Sequence, residues 1–138
     1  MGSPNAERLR AGYEAFGATG NWPESPELLG EDFELHQDPV FDDARVFRGA
    51  GAPAELLALT ARVVADATVE AERLIDLPGG EIVAFVRISG RGKASGIAID
   101  RHQAHVWRFE GDRARQMTVH GSPAEALRAL GLDQWPEE

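Results

Sequence analysis

The second half of the chain is a run of strand-like segments separated by short turns, and it limits the possible folds most strongly. Segments rich in β-branched and aromatic residues cover about 69–77, 81–89, 94–109 and 113–120. The turns contain glycine, as hairpins do, and have the sequences Pro78-Gly79-Gly80, Gly90-Arg91-Gly92-Lys93 and Glu110-Gly111-Asp112. We therefore predict an antiparallel sheet, with a bulge or bend at the polar stretch Asp100–Gln103 of its long third strand.

Two segments that precede the sheet have the apolar periodicity of helices. Residues 5–17 begin at the N-cap Asn5, and one face of this helix carries Leu9, Tyr13 and Phe16. Residues 53–66 begin with Pro53 in the first turn. The broad apolar stripe of this second helix comprises Leu56, Leu57, Leu59, Val63 and Val64.

The remaining elements are expected to be short. Residues 21–30 are predicted to be a loop with one helical turn, and residues 33–37 a strand followed by a polar loop to Gly49. A final helix begins at Ser122-Pro123-Ala124-Glu125, where serine is the cap and proline takes the first helical position. It ends at Gly131.

This order of elements predicts one α+β domain. The 138 residues suit a single domain, with its core over about 5–132 and a loose tail at 133–138. A strongly bent sheet wrapped around helices leaves a concave interior, which is where small-molecule sites tend to lie.

Composition excludes several classes of partner. The formal net charge of −9 disfavours nucleic acid and anionic membranes, because both are bound through basic surfaces, and it leaves small neutral or apolar molecules and other proteins. No apolar run approaches the length of a membrane span, and no signal-like segment is present. The absence of cysteine excludes disulfides and thiolate sites and agrees with an expected cytoplasmic location.

Asp38 is the first candidate catalytic residue, because it follows the short strand and precedes Pro39. Proline favours extended geometry in the residue before it, so Asp38 is expected in a defined backbone state. A general base there needs an apolar pocket, whereas the ordinary alternative is a solvated turn residue. Alternation places Asp38 with His36 and opposite Phe33 and Leu35, so it reaches the core face only if the strand bends.

Tyr13 and His105 are the next candidates. Tyr13 lies on the buried stripe of its helix, where the hydroxyl either donates to a developing oxyanion or bonds to a core partner. His105 shares a strand face with Trp107 and Phe109. A buried neutral imidazole both donates and accepts a hydrogen bond, so His105 suits carbonyl polarisation or proton relay as well as a purely structural role.

Several other residues are candidates for substrate binding. Pocket walls, or a lid over the Asp38 loop, are expected from Trp22, Phe41, Phe47 and Trp107, although core packing explains each of them equally well. Polar contacts are expected from His36, Gln116 and His120. On the last strand Gln116 and His120 share one face and Met117 takes the other, and either face suits a pocket.

No motif indicates a metal or a cofactor. The four histidines include no helical i, i+4 pair and no compact ligand pattern. No glycine pattern opens a helix as a phosphate cradle does, and no serine or threonine stands in a nucleophile elbow. We therefore expect neither a metal site nor a cofactor.

Five segments within residues 5 to 132 match a known pattern. They are Tyr13-Glu-Ala-Phe, Phe33 to Val40, Phe47-Arg-Gly, His105-Val-Trp-Arg-Phe-Glu-Gly-Asp and Glu125-Ala-Leu-Arg-Ala-Leu-Gly-Leu. In them the chain resembles a SnoaL-like domain of the nuclear transport factor 2-like superfamily. The resemblance implies a cone-shaped, curved antiparallel sheet around N-terminal helices, a short C-terminal helix and a homodimer through the outer sheet face.

Ketosteroid isomerases, which belong to this superfamily, allow a comparison residue by residue. They carry a tyrosine on the first helix, an Asp-Pro-Val general base after the first strand and a protonated aspartate before an aromatic-Arg-Phe run. Tyr13 and Asp38-Pro39-Val40 match the first two positions, and His105 takes the third. The resemblance implies Asp38 as general base, with Tyr13 and His105 as oxyanion or proton-relay groups.

The resemblance leaves the reaction open, because one fold hosts many functions. The leading hypothesis is a cofactor-free acid–base enzyme for a small, largely apolar organic substrate: an isomerase, a polyketide-type cyclase or an epoxide hydrolase. The alternative is a non-catalytic ligand-binding or protein-interaction module. Burial of Asp38 beside Tyr13 and His105 is the feature that separates the two.

Overall fold

The computed structural model of the protein describes residues 3–19, 28–37 and 45–136. Within these ranges the chain forms the helices α1 (Pro4–Thr19), α2 (Ala52–Thr60) and α3 (Pro123–Ala129). The strands are β1 (Leu29–Gln37), β2 (Val46–Arg48), β3 (Val64–Asp76), β4 (Ile82–Gly92), β5 (Ala98–Glu110) and β6 (Arg113–His120). None of the described helices is long and apolar enough to cross a membrane.

The strands form one curved, open sheet in the order β2-β1-β6-β5-β4-β3, which confirms the predicted α+β class. The predicted hairpins between β3 and β6 are all antiparallel. The sheet as a whole is mixed, because β1 pairs in parallel with β6. This pairing brings the first strand beside the last, so residues distant in sequence meet at the centre of the sheet.

The predicted extent of the second helix is wrong at its C-terminal end. Helix α2 ends at Thr60, and Val64 already belongs to β3. Val63 is 64% exposed, whereas Val64 is buried within the sheet. β-branched side chains lose rotamer freedom in helices and pack well on a pleated sheet, which explains why Val64 belongs to the strand. Val63 lies in the turn between the helix and the strand.

Two further details of the strands differ from expectation. Strand β1 begins at Leu29 rather than near Phe33, and the predicted polar loop contains β2, whose Phe47 pairs with Leu35. The bulge predicted at Asp100–Gln103 is also wrong, because the pairing of β4 with β5 runs through it without a shift. Asp100, Arg101 and His102 are exposed on a regular strand, and Gln103 is partly buried.

The two faces of the sheet carry separate apolar clusters. The inner face packs against α1, with α2 beside it, and its largest fully buried side chains are Trp107, Phe33, Leu9, Leu29, Leu35, Ile82 and Val86. The outer face carries a smaller cluster that includes Val83, Ala104 and Val106 and packs against Ala126 of α3. Trp135, in the predicted tail, contacts Phe85 edge to face, with 5.1 Å between ring centroids.

Gly90 allows the backbone of β3 to approach β4 closely. A Cβ atom on Gly90 would lie 2.6 Å from Val64 Cγ1 and 2.8 Å from the carbonyl oxygen of Ala65. Beside this contact Asp66 has a φ of 56°, and the register of β3 shifts between Ala65 and Thr68. The close approach therefore depends on the missing side chain.

We predict that Gly90→Ala lowers the free energy of unfolding by about 1–2 kcal/mol. Overpacking against backbone atoms costs about 1–3 kcal/mol, which exceeds the roughly 0.5–1 kcal/mol gained by removing a strand glycine. Gly51→Ala is the matched control, because Gly51 has a φ of −83° and no atom within 4 Å of a built Cβ. Equal urea midpoints for the two variants would contradict this explanation.

Candidate active site

A cavity of about 180 Å³ lies between the two N-terminal helices and the inner face of the sheet. Its wall is mostly apolar and includes Phe16, Leu35, Pro53, Leu56, Leu57, Val69, Ile88, Met117 and Val119. The described polar residues of the wall are Tyr13, Gln37, Thr60, Gln103 and His105. An apolar cavity with a few convergent polar groups has the character of a small-molecule site.

Tyr13 and His105 form the buried polar centre of this cavity. The Tyr13 hydroxyl oxygen lies 2.6 Å from Nδ1 of His105, although the residues are 92 positions apart in the chain. Tyr13 is 4% exposed and His105 is 6% exposed. The apolar stripe of α1 and the strand alternation of β5 direct the two side chains into the same interior, as the sequence predicts.

Trp107 contacts Tyr13 from the side of the hydrophobic core. Its indole Nε1–H donates to the Tyr13 hydroxyl at 2.9 Å, and its ring stacks on Phe33 with 5.7 Å between centroids. Because Trp107 is fully buried, this bond satisfies an indole donor that would otherwise be costly to bury. Trp107 therefore orients Tyr13 from behind.

Gln103 lies on the other side of the His105 ring. Its Oε1 is 3.3 Å from His105 Nε2, and both side chains line the cavity. Residues two apart on a strand share a face, which places Gln103 and His105 side by side on the inner face of β5. Trp107 and Gln103 thus extend the polar centre on its two sides, and the hydrogen-bonded row is Trp107, Tyr13, His105 and Gln103.

Burial keeps both ionisable groups of the centre neutral. Desolvation lowers the pKa of His105 to about 3, with a smaller contribution from repulsion by His120. Desolvation raises the pKa of Tyr13 well above its ordinary value, and the bond from Trp107 opposes this only in part. At neutral pH the site therefore presents a neutral imidazole and a neutral phenol.

The structure places the remaining predicted site residues as follows. Phe47 and Trp107 are buried in the inner cluster beside the cavity, and neither is among its wall residues. His36, Gln116 and His120 lie on the opposite face of the sheet from Leu35 and Met117. Asp38, Trp22 and Phe41 lie outside the described residues.

His36 has a polar partner on that opposite face. Its Nε2 lies 2.9 Å from Glu34 Oε1, and Glu34 also accepts from Arg48. The hydrogen bond from His36, with the nearby Arg48, lowers the pKa of the Glu34 carboxyl. These exposed contacts are typical of a solvated strand face.

Three polar wall residues, Gln37, Thr60 and Gln103, were not predicted from the sequence. Gln37 follows Leu35 on the inner face of β1, and its side-chain oxygen accepts from the backbone N–H of Arg45 at 3.1 Å. Gln103 precedes His105 by two positions on β5. Residues two apart on a strand lie on the same face, and applying this rule to Leu35 and His105 would have identified both glutamines.

The described residues contain no group of three or more histidine, aspartate or glutamate side chains arranged to hold a metal ion. The exposed outer face carries Arg87 paired with Asp100, and His102 3.1 Å from Glu72. These charged contacts lie on the face away from the cavity.

We predict that acidification destabilises the protein partly through His105. The unfolded state binds a proton at His105 below its ordinary pKa of 6.5, whereas the folded state binds it only near 3. Stability due to this group is therefore complete well above pH 6.5 and is lost as pH falls toward 3, by about 1.4 kcal/mol per pH unit.

The measurement is the free energy of unfolding by urea between pH 7 and pH 4. We expect a shallower pH dependence in His105→Asn, whose amide replaces the imidazole with a polar group that does not titrate. The matched control is His102→Asn, because His102 is exposed on the outer face. Identical slopes for wild type and His105→Asn would show that His105 titrates normally in the folded state.

The sequence matches no protein-family model and no curated protein. Among solved structures, a nuclear transport factor 2-like protein of unknown function from Burkholderia pseudomallei has a TM-score of 0.69 and 22% identity, covering 92% of this chain and 97% of that one. A proposed SnoaL-like polyketide cyclase from Jannaschia has a TM-score of 0.66 and 17% identity, covering 99% of each chain.

A third similar structure is that of TerC co-crystallised with polyporic acid. It has a TM-score of 0.68 and 18% identity, covering 93% of this chain and 98% of that one. Similarity at these identities concerns the fold, which is shared over almost the whole chain. The similarity does not extend the functions of these proteins to this chain, because one fold hosts many chemistries.

Proposed function

We propose that this chain, which has the fold of the nuclear transport factor 2-like proteins, binds a small, mainly apolar carbonyl compound and catalyses cofactor-independent proton transfer on it. The observation that carries the proposal is the neutral Tyr13–His105 pair, buried at 2.6 Å in the wall of an apolar cavity. A polar pair in such a place is suited to bind a substrate oxygen. SnoaL-like polyketide cyclases among the similar structures support the proposal at the level of fold.

The size of the cavity favours a ligand of one or two rings. A dry cavity of about 150 Å³ is known to bind benzene, and the cavity here measures about 180 Å³. The described wall contains no lysine, arginine, aspartate or glutamate. Since burying an unpaired charge is costly, a neutral ligand is favoured over a carboxylate.

His105 is suited to polarise the carbonyl oxygen of such a ligand. A neutral imidazole is an effective hydrogen-bond donor to a developing oxyanion, and a preorganised donor in a dry site contributes strongly to catalysis. We assign the general base to Asp38, on the resemblance of Asp38-Pro39-Val40 to the isomerase motif. In this mechanism Asp38 removes a proton next to the carbonyl, and the Tyr13–His105 pair stabilises the enolate oxygen.

Isomerisation and aldol-type cyclisation both proceed from such an enolate, so these two reaction types fit the site best. Opening of an epoxide would use the same donor for the leaving oxygen and the same carboxylate to activate water. All three reactions proceed by acid–base chemistry that the proposed residues supply.

A non-catalytic binding module is the second candidate function. One observation favours it: the ionisable groups in the described wall are Tyr13 and His105, and burial leaves both of them weak as bases or acids near pH 7. Under this alternative the polar centre would only orient a bound molecule. Catalysis therefore depends on Asp38.

We predict that the protein accelerates exchange of the α-protons of 1-indanone, a two-ring ketone, in deuterated water. Asp38→Asn should reduce the enzymatic exchange rate at least 100-fold, since general bases contribute about 10²–10⁴-fold. His105→Phe should reduce it by about 10²-fold, because one oxyanion donor is removed. Proton NMR measures the exchange directly, and binding is followed in the same samples by line broadening.

His102→Gln is the control and should exchange at the wild-type rate, since His102 lies on the exposed outer face. Exchange that survives unchanged in Asp38→Asn would remove Asp38 from the mechanism. Binding of 1-indanone without any exchange by the wild type would favour the non-catalytic module.

A further inference from the structure

We propose that Tyr13 and Gln103 hold His105 in the neutral tautomer protonated at Nε2, so that His105 alone offers a proton to the ligand oxygen. Tyr13 and Gln103 are then positioning residues. The role toward a ligand rests on the proposed function, whereas the tautomer itself is a property of the free protein. Three observations along the polar centre support this assignment.

The first observation is the direction of the bond from Trp107. An indole Nε1–H is a donor only, so the Tyr13 oxygen is the acceptor in the 2.9 Å contact. A phenol carries one proton of its own, and a lone pair of its oxygen is already occupied by Trp107. The arrangement favours Tyr13 as the donor toward its next neighbour.

The second observation is the short distance between Tyr13 and His105. The Tyr13 oxygen lies 2.6 Å from His105 Nδ1, which is within hydrogen-bond distance, so one of the two atoms donates a proton to the other. Because the Tyr13 oxygen already accepts from Trp107, donation of its own proton to Nδ1 gives each partner one role in this contact. In this arrangement Nδ1 of His105 is the unprotonated nitrogen.

The third observation comes from the opposite side of the ring. His105 Nε2 lies 3.3 Å from Oε1 of Gln103, and an amide oxygen only accepts hydrogen bonds. The proton of the neutral ring is therefore on Nε2. Both neighbours require the same tautomer, and a chain of bonds with one direction reinforces itself.

The surroundings also oppose a second proton on the ring. Among the described residues, the polar groups next to the His105 ring are Tyr13 from α1 and Gln103 from β5, and His120 of the neighbouring strand β6 lies on the other face of the sheet. None of these described groups is an anion, and a proton on His120 would repel one on His105. His105 thus stays a neutral donor over the ordinary range of pH.

This arrangement separates the roles of the two candidate residues. The Tyr13 proton is directed to Nδ1, inside the centre, whereas the long 3.3 Å contact leaves Nε2–H only weakly engaged by Gln103. A ligand oxygen in the cavity competes readily for a weakly engaged donor. The site therefore selects a hydrogen-bond acceptor, such as a carbonyl oxygen, and offers it one neutral N–H.

The test is a long-range ¹H–¹⁵N NMR spectrum of the wild-type protein between pH 5 and pH 8. We expect Nδ1 of His105 to show the shift of an unprotonated nitrogen and Nε2 that of a protonated one, without change over this range. A protonated Nδ1, or a ring that gains a second proton above pH 5, would overturn the proposal.

Variants test the positioning roles separately. Tyr13→Phe should shift Nδ1 further toward a nitrogen without a hydrogen bond and lower the 1-indanone exchange rate at least tenfold. His102→Gln is the control, because His102 lies on the exposed outer face, so the Nδ1 signal of His105 should stay unchanged in that variant. Equal Nδ1 shifts in wild type and Tyr13→Phe would overturn the role of Tyr13.

The two proposals fail in different ways. The Nε2–H tautomer without ketone exchange would contradict the proposed catalysis and leave the tautomer in place. Exchange activity with a protonated Nδ1 would contradict the tautomer and leave the proposed catalysis in place. Since the wild-type spectrum requires no substitution, the tautomer is tested even if a variant fails to fold.

Discussion

The hydrogen bond between Tyr13 and His105 is the interaction on which the site depends. Neither side chain is favourable in an apolar interior alone, since a buried hydroxyl or imidazole without a partner is costly. Paired with each other and with Trp107, both are satisfied in a region that water does not reach freely. The same burial lowers the pKa of His105, so that the imidazole is neutral at neutral pH.

The fold brings these residues together through the sheet rather than through local sequence. Strand β5 lies between β4 and β6, and α1 packs its apolar stripe across the inner face. The parallel pairing of β1 with β6 adds Leu35 and Met117 to the same surface. The short helix α2 contributes Leu56 and Leu57 to the cavity wall. The cavity is the space that remains between these helices and the inner face of the sheet.

Much of this arrangement could be predicted from periodicity. Helical spacing predicted that Tyr13 lies on the buried face of its helix, and strand alternation predicted that His105 shares a face with Trp107. Each rule works because the position of a residue in a helix or strand determines the face on which its side chain lies. The helix boundary at Thr60 could not be predicted, since Val63 and Val64 continue the apolar stripe, whereas pairing of Val64 with Gly92 places it in β3. Gln103 was missed because the bend predicted at Asp100–Gln103 interrupted the alternation that places Gln103 on the same face as His105, whereas the strand is regular there.

Distances across the sheet were beyond prediction, because they depend on register and curvature. The sequence placed His36, Gln116 and His120 near the site, and the register places them behind it. The resemblance identified Asp38 as a base, and that assignment remains a prediction.

The most direct test of the account is a crystal structure of the protein soaked with 1-indanone. We expect the ketone in the cavity between α1 and β5, with its carbonyl oxygen within hydrogen-bond distance of His105 Nε2 and its rings against Val119 and Leu57. A ketone bound with its oxygen away from His105, or bound only at the protein surface, would contradict the account.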